Sequence, residues 1–150
     1  MTGVIMREMR TAGIIMAIML GVVCSGRADE GVTNAQETVL AQTTNGNFVL
    51  YVSNQSFDLS PVDITVSIDG KKAVSADFVV GTAHSWVAHR FQLTPGVHKI
   101  TATSEKGAIQ LEKEIEITHN HWAAIGFVFS TKNDRKQFLF RIQATPLSFM

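Results

Sequence analysis

The stretch that decides the fold is Val62-Asp-Ile-Thr-Val-Ser-Ile-Asp-Gly70, in which β-branched apolar residues alternate with polar ones. A period of two is typical of a strand with one buried and one solvated face. Asp69-Gly70 ends the run, and this pair favours a two-residue hairpin turn because both positions tolerate positive φ. The stretch therefore predicts a strand, a tight turn and a return strand over Lys72–Val80.

The same signals recur on both sides of this hairpin, with turns at Thr94-Pro95-Gly96 and Glu105-Lys106-Gly107. Each turn is flanked by a stretch with strand character, which gives about eight strands and no helical period of useful length. A single antiparallel immunoglobulin-like β-sandwich over residues 47–150 fits this pattern best, and a closed barrel is the alternative. The further predicted strands are Phe48–Ser53, Ser85–Leu93, Val97–Ser104, Ile109–Ile117, Trp122–Ser130 and Gln137–Ile142.

In two of these strands, the side-chain pattern indicates whether the strand lies at the edge or in the centre of a sheet. Ile109–Ile117 carries glutamine and three glutamates on one face, which predicts a solvated face and blunts edge pairing. Trp122–Ser130 is apolar on both faces, as a central strand should be. We therefore expect Trp122–Ser130 between the acidic-faced strand and Gln137–Ile142, with Trp122, Ile125 and Phe127 in the core.

The first 28 residues have the pattern of a secretory signal peptide. Arg7 and Arg10 precede the apolar run Thr11–Val23, which is too short to span a bilayer. Gly26-Arg27-Ala28 then places small residues at positions −3 and −1 of a cut before Asp29. The pattern predicts a periplasmic or secreted protein with no integral membrane span after processing.

Cys24 leaves an alternative open, because a lipoprotein would be cut before this cysteine and anchored through it. Val23 stands where a small residue is usual, and Gly21 stands where leucine is usual. Ordinary cleavage after Ala28 is therefore the favoured prediction.

The processed chain is close to neutral. Of 13 Lys and Arg, three lie in the predicted signal peptide, and of 13 Asp and Glu only Glu8 does, which leaves ten basic and twelve acidic residues. No basic block is present, which argues against nucleic acid as a partner. Residues 29–46 are polar and predict a flexible leader ahead of the sandwich.

A family resemblance points the same way. Phe91-Gln-Leu-Thr-Pro-Gly-Val-His-Lys-Ile-Thr-Ala-Thr-Ser104 resembles the L-x-P-G-x-H-x-I/V-x-A hairpin of bacterial immunoglobulin-like and PEGA-type surface domains. Val62–Gly70 is similar to the V-x-I-x-I-D-G strand of the same modules. The resemblance covers about Phe48 to Ile117. It implies an exported sandwich that is not catalytic and serves in adhesion, assembly or ligand contact.

Histidines supply one candidate site. If consecutive strands alternate in direction, His98, His119 and His121 fall at the same end of the sandwich as the Asp69-Gly70 turn. Imidazoles are common ligands of Zn²⁺ and Cu²⁺, so these three could form an open metal site, with Asp69 as a further ligand if the hairpins converge. The competing interpretation is solvated turn histidines. His89 falls within a strand and is expected to be partly buried there.

Loops at the opposite end supply the other candidates, since functional loops of sandwiches cluster at one end. Gln55, Phe57 and Asp58 lie in the polar loop after the first strand, and His84 lies in another loop at that end. The competing interpretation has Phe57 and Leu59 packed beneath the sandwich. Two further aromatic residues could form a sugar-stacking platform, although packing at the core or its rim is the ordinary role of such residues; they are Trp86 and Trp122.

The sequence carries no catalytic signature. There is no G-x-S-x-G nucleophile elbow, and the single cysteine is removed by the predicted cleavage. We therefore expect a non-enzymatic binding or structural module of the cell envelope, whose partner is an envelope protein or a glycan. The alternatives are a periplasmic metal-binding protein and a carbohydrate-binding module.

Overall fold

The computed structural model describes residues 37–81 and 85–149 of this chain. The predicted signal peptide, Cys24 and His84 lie outside the described residues. Within them, no helix is long and apolar enough to cross a membrane. The described chain is built from eight strands: β1 Phe48–Asn54, β2 Val62–Ile68, β3 Lys71–Phe78, β4 Val87–Phe91, β5 Gly96–Ser104, β6 Ile109–Ile117, β7 His121–Ser130 and β8 Arg135–Gln143.

The strands form two four-stranded sheets, in the orders β4-β1-β7-β8 and β3-β2-β5-β6. Their inward-facing side chains form a common core, so the predicted β-sandwich is confirmed. Two details differ from the prediction. β1 and β7 run parallel, with Phe48 opposite His121. β7 is central as expected, but its neighbours are β1 and β8, because the acidic-faced β6 belongs to the other sheet.

The core follows the alternation of the sequence. Along β2 the four apolar side chains are buried, while Asp63, Thr65 and Ser67 between them are only partly covered. Ile125 and Phe127 of β7 are completely buried, as predicted, whereas Trp122 is half-buried. On β6 the polar row Gln110, Glu112, Glu114 and Glu116 is exposed. Burial of apolar side chains supplies most of the stabilisation of such a domain.

The first hairpin has the predicted turn. Asp69 and Gly70 both adopt positive φ, at 51° and 74°, which matches the right-handed twist of the flanking strands. Beyond the turn, the β2–β3 register shifts between Val66 and Ser67, so that Ala73 and Val74 of β3 are both buried. A bulge of this kind increases the local twist of an edge strand.

Residues 38–43 lie in the predicted polar leader but are hydrogen-bonded to the sandwich. We call these residues the crossing segment. The Leu40 amide donates to the Lys72 carbonyl at 2.8 Å, and the Lys72 amide donates to the Thr38 carbonyl at 2.9 Å. The Thr43 amide then donates to the Arg90 carbonyl of β4 at 2.9 Å. The segment therefore connects the edges of both sheets, and Leu40 packs against the core.

Candidate binding groove

The edge strands β3 and β4 border a groove on one side of the sandwich. Each of them has a strand neighbour on one side only, β2 for β3 and β1 for β4. The crossing segment covers the gap between the two sheets where it contacts Lys72 and Arg90. Further along β3, the described residues leave a cavity of about 260 Å³ between the two strands.

The groove is lined mainly by apolar side chains from the end of β3 and the start of β4. Val79 is 66% exposed and Val87 is 44% exposed, so water contacts valine side chains on both walls. Phe78, between them and the core, is buried. Ala76, Asp77, Ser85 and His89 complete the lining. An exposed concave apolar surface bordered by polar residues is the usual form of a contact site.

His89 contributes the polar group at the inner end of the groove. Its Nδ1 lies 3.3 Å from Oε1 of Gln42, which belongs to the crossing segment. Its Nε2 is buried and has no hydrogen-bond partner among the described residues. Burial lowers the pKa of His89, which favours the neutral ring. With Nδ1 donating to Gln42, the neutral ring presents Nε2 as a buried acceptor.

Buried polar side chains of β1 hold the two walls of the groove in place. The Asn54 side-chain amide donates to the Phe78 carbonyl at 3.2 Å and to the Leu59 carbonyl at 2.8 Å. The Ser53 hydroxyl donates to the Ser85 carbonyl at 2.7 Å. Because both side chains are buried and bonded, the end of β3 and the approach to β4 are fixed relative to β1.

The predicted loop residues have different roles. The Gln55 side-chain amide donates to the Ser53 hydroxyl at 2.6 Å, which is a local bond to the end of β1. The Asp58 carboxylate accepts from the Thr131 amide at 2.7 Å, so Asp58 connects its loop to the one that follows β7. Phe57 is 71% exposed, so the competing interpretation, in which it packs beneath the sandwich, does not hold for Phe57. That packing is found for Leu59, which contacts the core.

His98 is brought to the Asp69 turn, as the alternating strand directions predicted. Its Nδ1 lies 2.6 Å from Asp69 Oδ2, and its Nε2 lies 2.7 Å from the Thr94 carbonyl oxygen. Both acceptors require a donor, so the ring that makes both bonds is the imidazolium. The other carboxylate oxygen of Asp69 accepts the Lys99 amide at 2.9 Å. The contacts tie the β2–β3 turn to the start of β5.

The pKa values of this pair move apart. Burial alone would lower the pKa of His98, but the bonds to Asp69 and Thr94 outweigh it and raise the pKa above its usual value. Burial would raise the pKa of Asp69, but the bonds from His98 and the Lys99 amide outweigh it and lower the pKa. The pair is therefore a charged clamp between two turns.

The three histidines proposed as metal ligands do not form a ligand set. Both ring nitrogens of His98 are used in the clamp. His119 and His121 lie with ring centroids 6.0 Å apart, and His121 Nδ1 is 3.1 Å from the His119 carbonyl oxygen. In residues 37–81 and 85–149, no group of three or more His, Cys, Asp or Glu side chains is placed to hold a metal ion.

The two tryptophans lie apart. The Trp86 indole stacks on Phe149, with ring centroids 4.5 Å apart and planes inclined by 19°. Phe149 also contacts Tyr51 edge-on, at a centroid distance of 4.9 Å. Gly126 lies beside the indole, where a Cβ would come within 3.2 Å of the Trp86 ring. Trp122 stands four residues before Gly126 on β7, about 13 Å along the strand, so the two indoles form no common platform.

The groove was not predicted from the sequence, although one signal for it is present. Phe78-Val79-Val80 places three apolar residues in succession at the end of β3. Successive side chains of a strand point to opposite faces, so three apolar residues in a row cannot all face the core. At the edge of a sheet, at least one of them is left exposed. Val79 is that member.

Comparisons with known proteins add no relative: no protein-family model, curated protein or solved structure matches this chain.

Proposed function

We propose that this protein is an exported, non-catalytic binding module of the cell envelope, and that the groove between β3 and β4 is its binding surface. The observation that carries the proposal is the exposure of Val79 and Val87 on facing walls of a cavity whose walls are fixed by Asn54 and Ser53. Covering these side chains removes apolar surface from water, which favours association. Export is proposed from the signal-peptide pattern, and the resemblance to PEGA-type domains supports a binding role.

The chemistry of the one histidine–carboxylate ion pair in the described chain also supports a non-catalytic role. A general base needs a ring nitrogen that can reach the proton of a substrate or nucleophile. In His98 one nitrogen is bonded to Asp69 and the other to the Thr94 carbonyl. The pair is thus engaged in joining two turns, which is a structural task.

Site-specific photocrosslinking in the producing cells tests the binding surface. A benzophenone amino acid at position 87, on the groove wall, should crosslink to one envelope component. The same amino acid at position 97 is the matched control, because Val97 is also exposed but lies on β5, outside the groove lining. Crosslinking at position 87 should disappear in the Val79→Lys variant. Equal products from both positions would contradict the proposal.

A substrate screen tests the absence of catalysis. Purified protein should turn over none of a panel of chromogenic esters, phosphates and glycosides. Turnover that a single substitution abolishes, for example His98→Asn, would show that the protein is an enzyme.

A further inference from the structure

Resting on the proposed function, we propose that the groove receives an extended polypeptide segment of a partner protein, which adds as a strand to the outer edge of β3. The segment would pair through its backbone and place apolar side chains between Val79 and Val87. Strand addition of this kind takes its affinity from main-chain hydrogen bonds and its specificity from pockets for alternate side chains.

The chain already uses this mode of contact on the same edge. Val39 and Lys72 form a parallel bridge, in which the amide and the carbonyl of Lys72 bond to Thr38 and Leu40. The crossing segment then leaves β3 and bonds to Arg90 of β4. The β3 edge thus accepts extended backbone at Lys72, and the groove lies further along the same edge.

Beyond Lys72, the outer edge of β3 has no strand neighbour in the described chain. Its side chains there do little to block pairing, since Ser75 and Ala76 are small and the Asp77 carboxylate is bound by Lys106 at 2.7 Å. β6, the other edge of the same sheet, carries Glu112, Lys113, Glu114 and Glu116 in exposed positions. Charged edges resist strand addition, so β3 is the edge that favours it.

The dimensions of the groove fit a short strand. Ala76 to Val79 spans four residues, about 10 Å from the first Cα to the last at the rise of a strand. The cavity of about 260 Å³ is smaller than the range of roughly 300–1,000 Å³ that small-molecule sites occupy. It suits one or two side chains of valine size. The occupant is therefore a segment with small apolar residues at alternate positions.

Peptide binding followed by amide chemical shifts tests the proposal directly. The probe is the heptapeptide acetyl-TVTVTVT-amide, titrated into isotope-labelled exported protein. The expected shifts lie in Ala76–Val79 and Val87–His89. Val79→Lys should weaken binding about tenfold or more, because it places a charge in the apolar contact. Val97→Lys should leave binding unchanged, because Val97 is equally exposed but lies outside the groove.

A second peptide separates backbone pairing from side-chain packing. It has the same sequence with the amides of alternate residues methylated, so that one edge of the peptide cannot donate. Strand addition predicts binding by at most one of the two possible methylation patterns. Equal binding of the unmodified peptide and both methylated forms would overturn strand addition while leaving the groove as a binding surface. Strand addition would also be overturned if millimolar peptide caused no chemical-shift changes, or if the changes were centred on β6. A dimer of this chain that dissociates in Val79→Lys would overturn it as well, because a second copy would then occupy the groove.

Discussion

Truncation of Phe127 to alanine should cost this domain a large share of its stability. Phe127 is completely buried on β7, and its ring meets Phe138 edge-on at a centroid distance of 5.9 Å. β7 is paired on both sides, with Asn54 and Phe138 opposite Phe127, so the backbone cannot move in to fill the space. Phenylalanine-to-alanine changes in cores cost about 3–5 kcal/mol, and the fixed backbone places Phe127→Ala near the upper end.

The assay is urea denaturation of the wild-type chain, Phe127→Ala and Glu114→Ala. A single domain has about 5–15 kcal/mol of stability, so a loss of about 5 kcal/mol in Phe127→Ala removes at least a third of it and should lower the urea midpoint strongly. Glu114 points to solvent from β6, and its truncation should change the free energy of unfolding by less than about 0.5 kcal/mol. If Glu114→Ala proved more damaging than Phe127→Ala, the inward and outward faces assigned to these strands would be reversed.

Three further predictions concern the clamp, the carboxyl-terminal region and export. His98 has a raised pKa, so its stabilisation is complete below the unfolded pKa of about 6.5 and is lost as pH rises through the folded value. The difference in unfolding free energy between wild type and His98→Asn should therefore be larger near pH 5.5 than at pH 9; a constant difference would refute the charged clamp. In a Trp122→Phe background, Phe149→Ala should shift the emission of Trp86 to longer wavelength by exposing the indole, and an unchanged spectrum would contradict the stacking. Intact mass of the exported protein should correspond to a chain that begins at Asp29, whereas a lipid-modified Cys24 at the amino terminus would refute the predicted cleavage.

The positions of the strands could be predicted from the sequence because each strand is marked by local alternation of apolar and polar residues and by turn residues at its ends. The β2 alternation and the Asp69-Gly70 turn predicted their hairpin, and the structure moves the start of β3 by one residue. The sheet to which each strand belongs could not be predicted in the same way. The placement of β7 beside β1 depends on a crossover between sheets, which no local period specifies.

The same distinction applies to the candidate site. Features that depend on the order of strands along the chain could be predicted, and features that depend on sheet membership could not. Alternating strand directions were enough to place His98 and the Asp69 turn at the same end, because that needs only the ends of consecutive strands, but they left open whether the two hairpins meet. The groove needs two edge strands from different sheets, and the identity of the edges follows from strand order. The crossing segment was missed because its one apolar run, Val39-Leu40-Ala41, is too short to show a period, and its backbone pairing leaves no pattern in the side chains.

Amide hydrogen exchange along β3 and the crossing segment, with and without the heptapeptide, tests the account most directly. Backbone amides that are hydrogen-bonded in stable structure exchange slowly, and unpaired exposed ones exchange fast. We predict slow exchange at Leu40 and Lys72, and fast exchange at the outward-facing amides of Ser75–Phe78 that becomes slow when the peptide binds. Slow exchange at every β3 amide in the free protein would show that the edge is already paired, and would contradict an open groove.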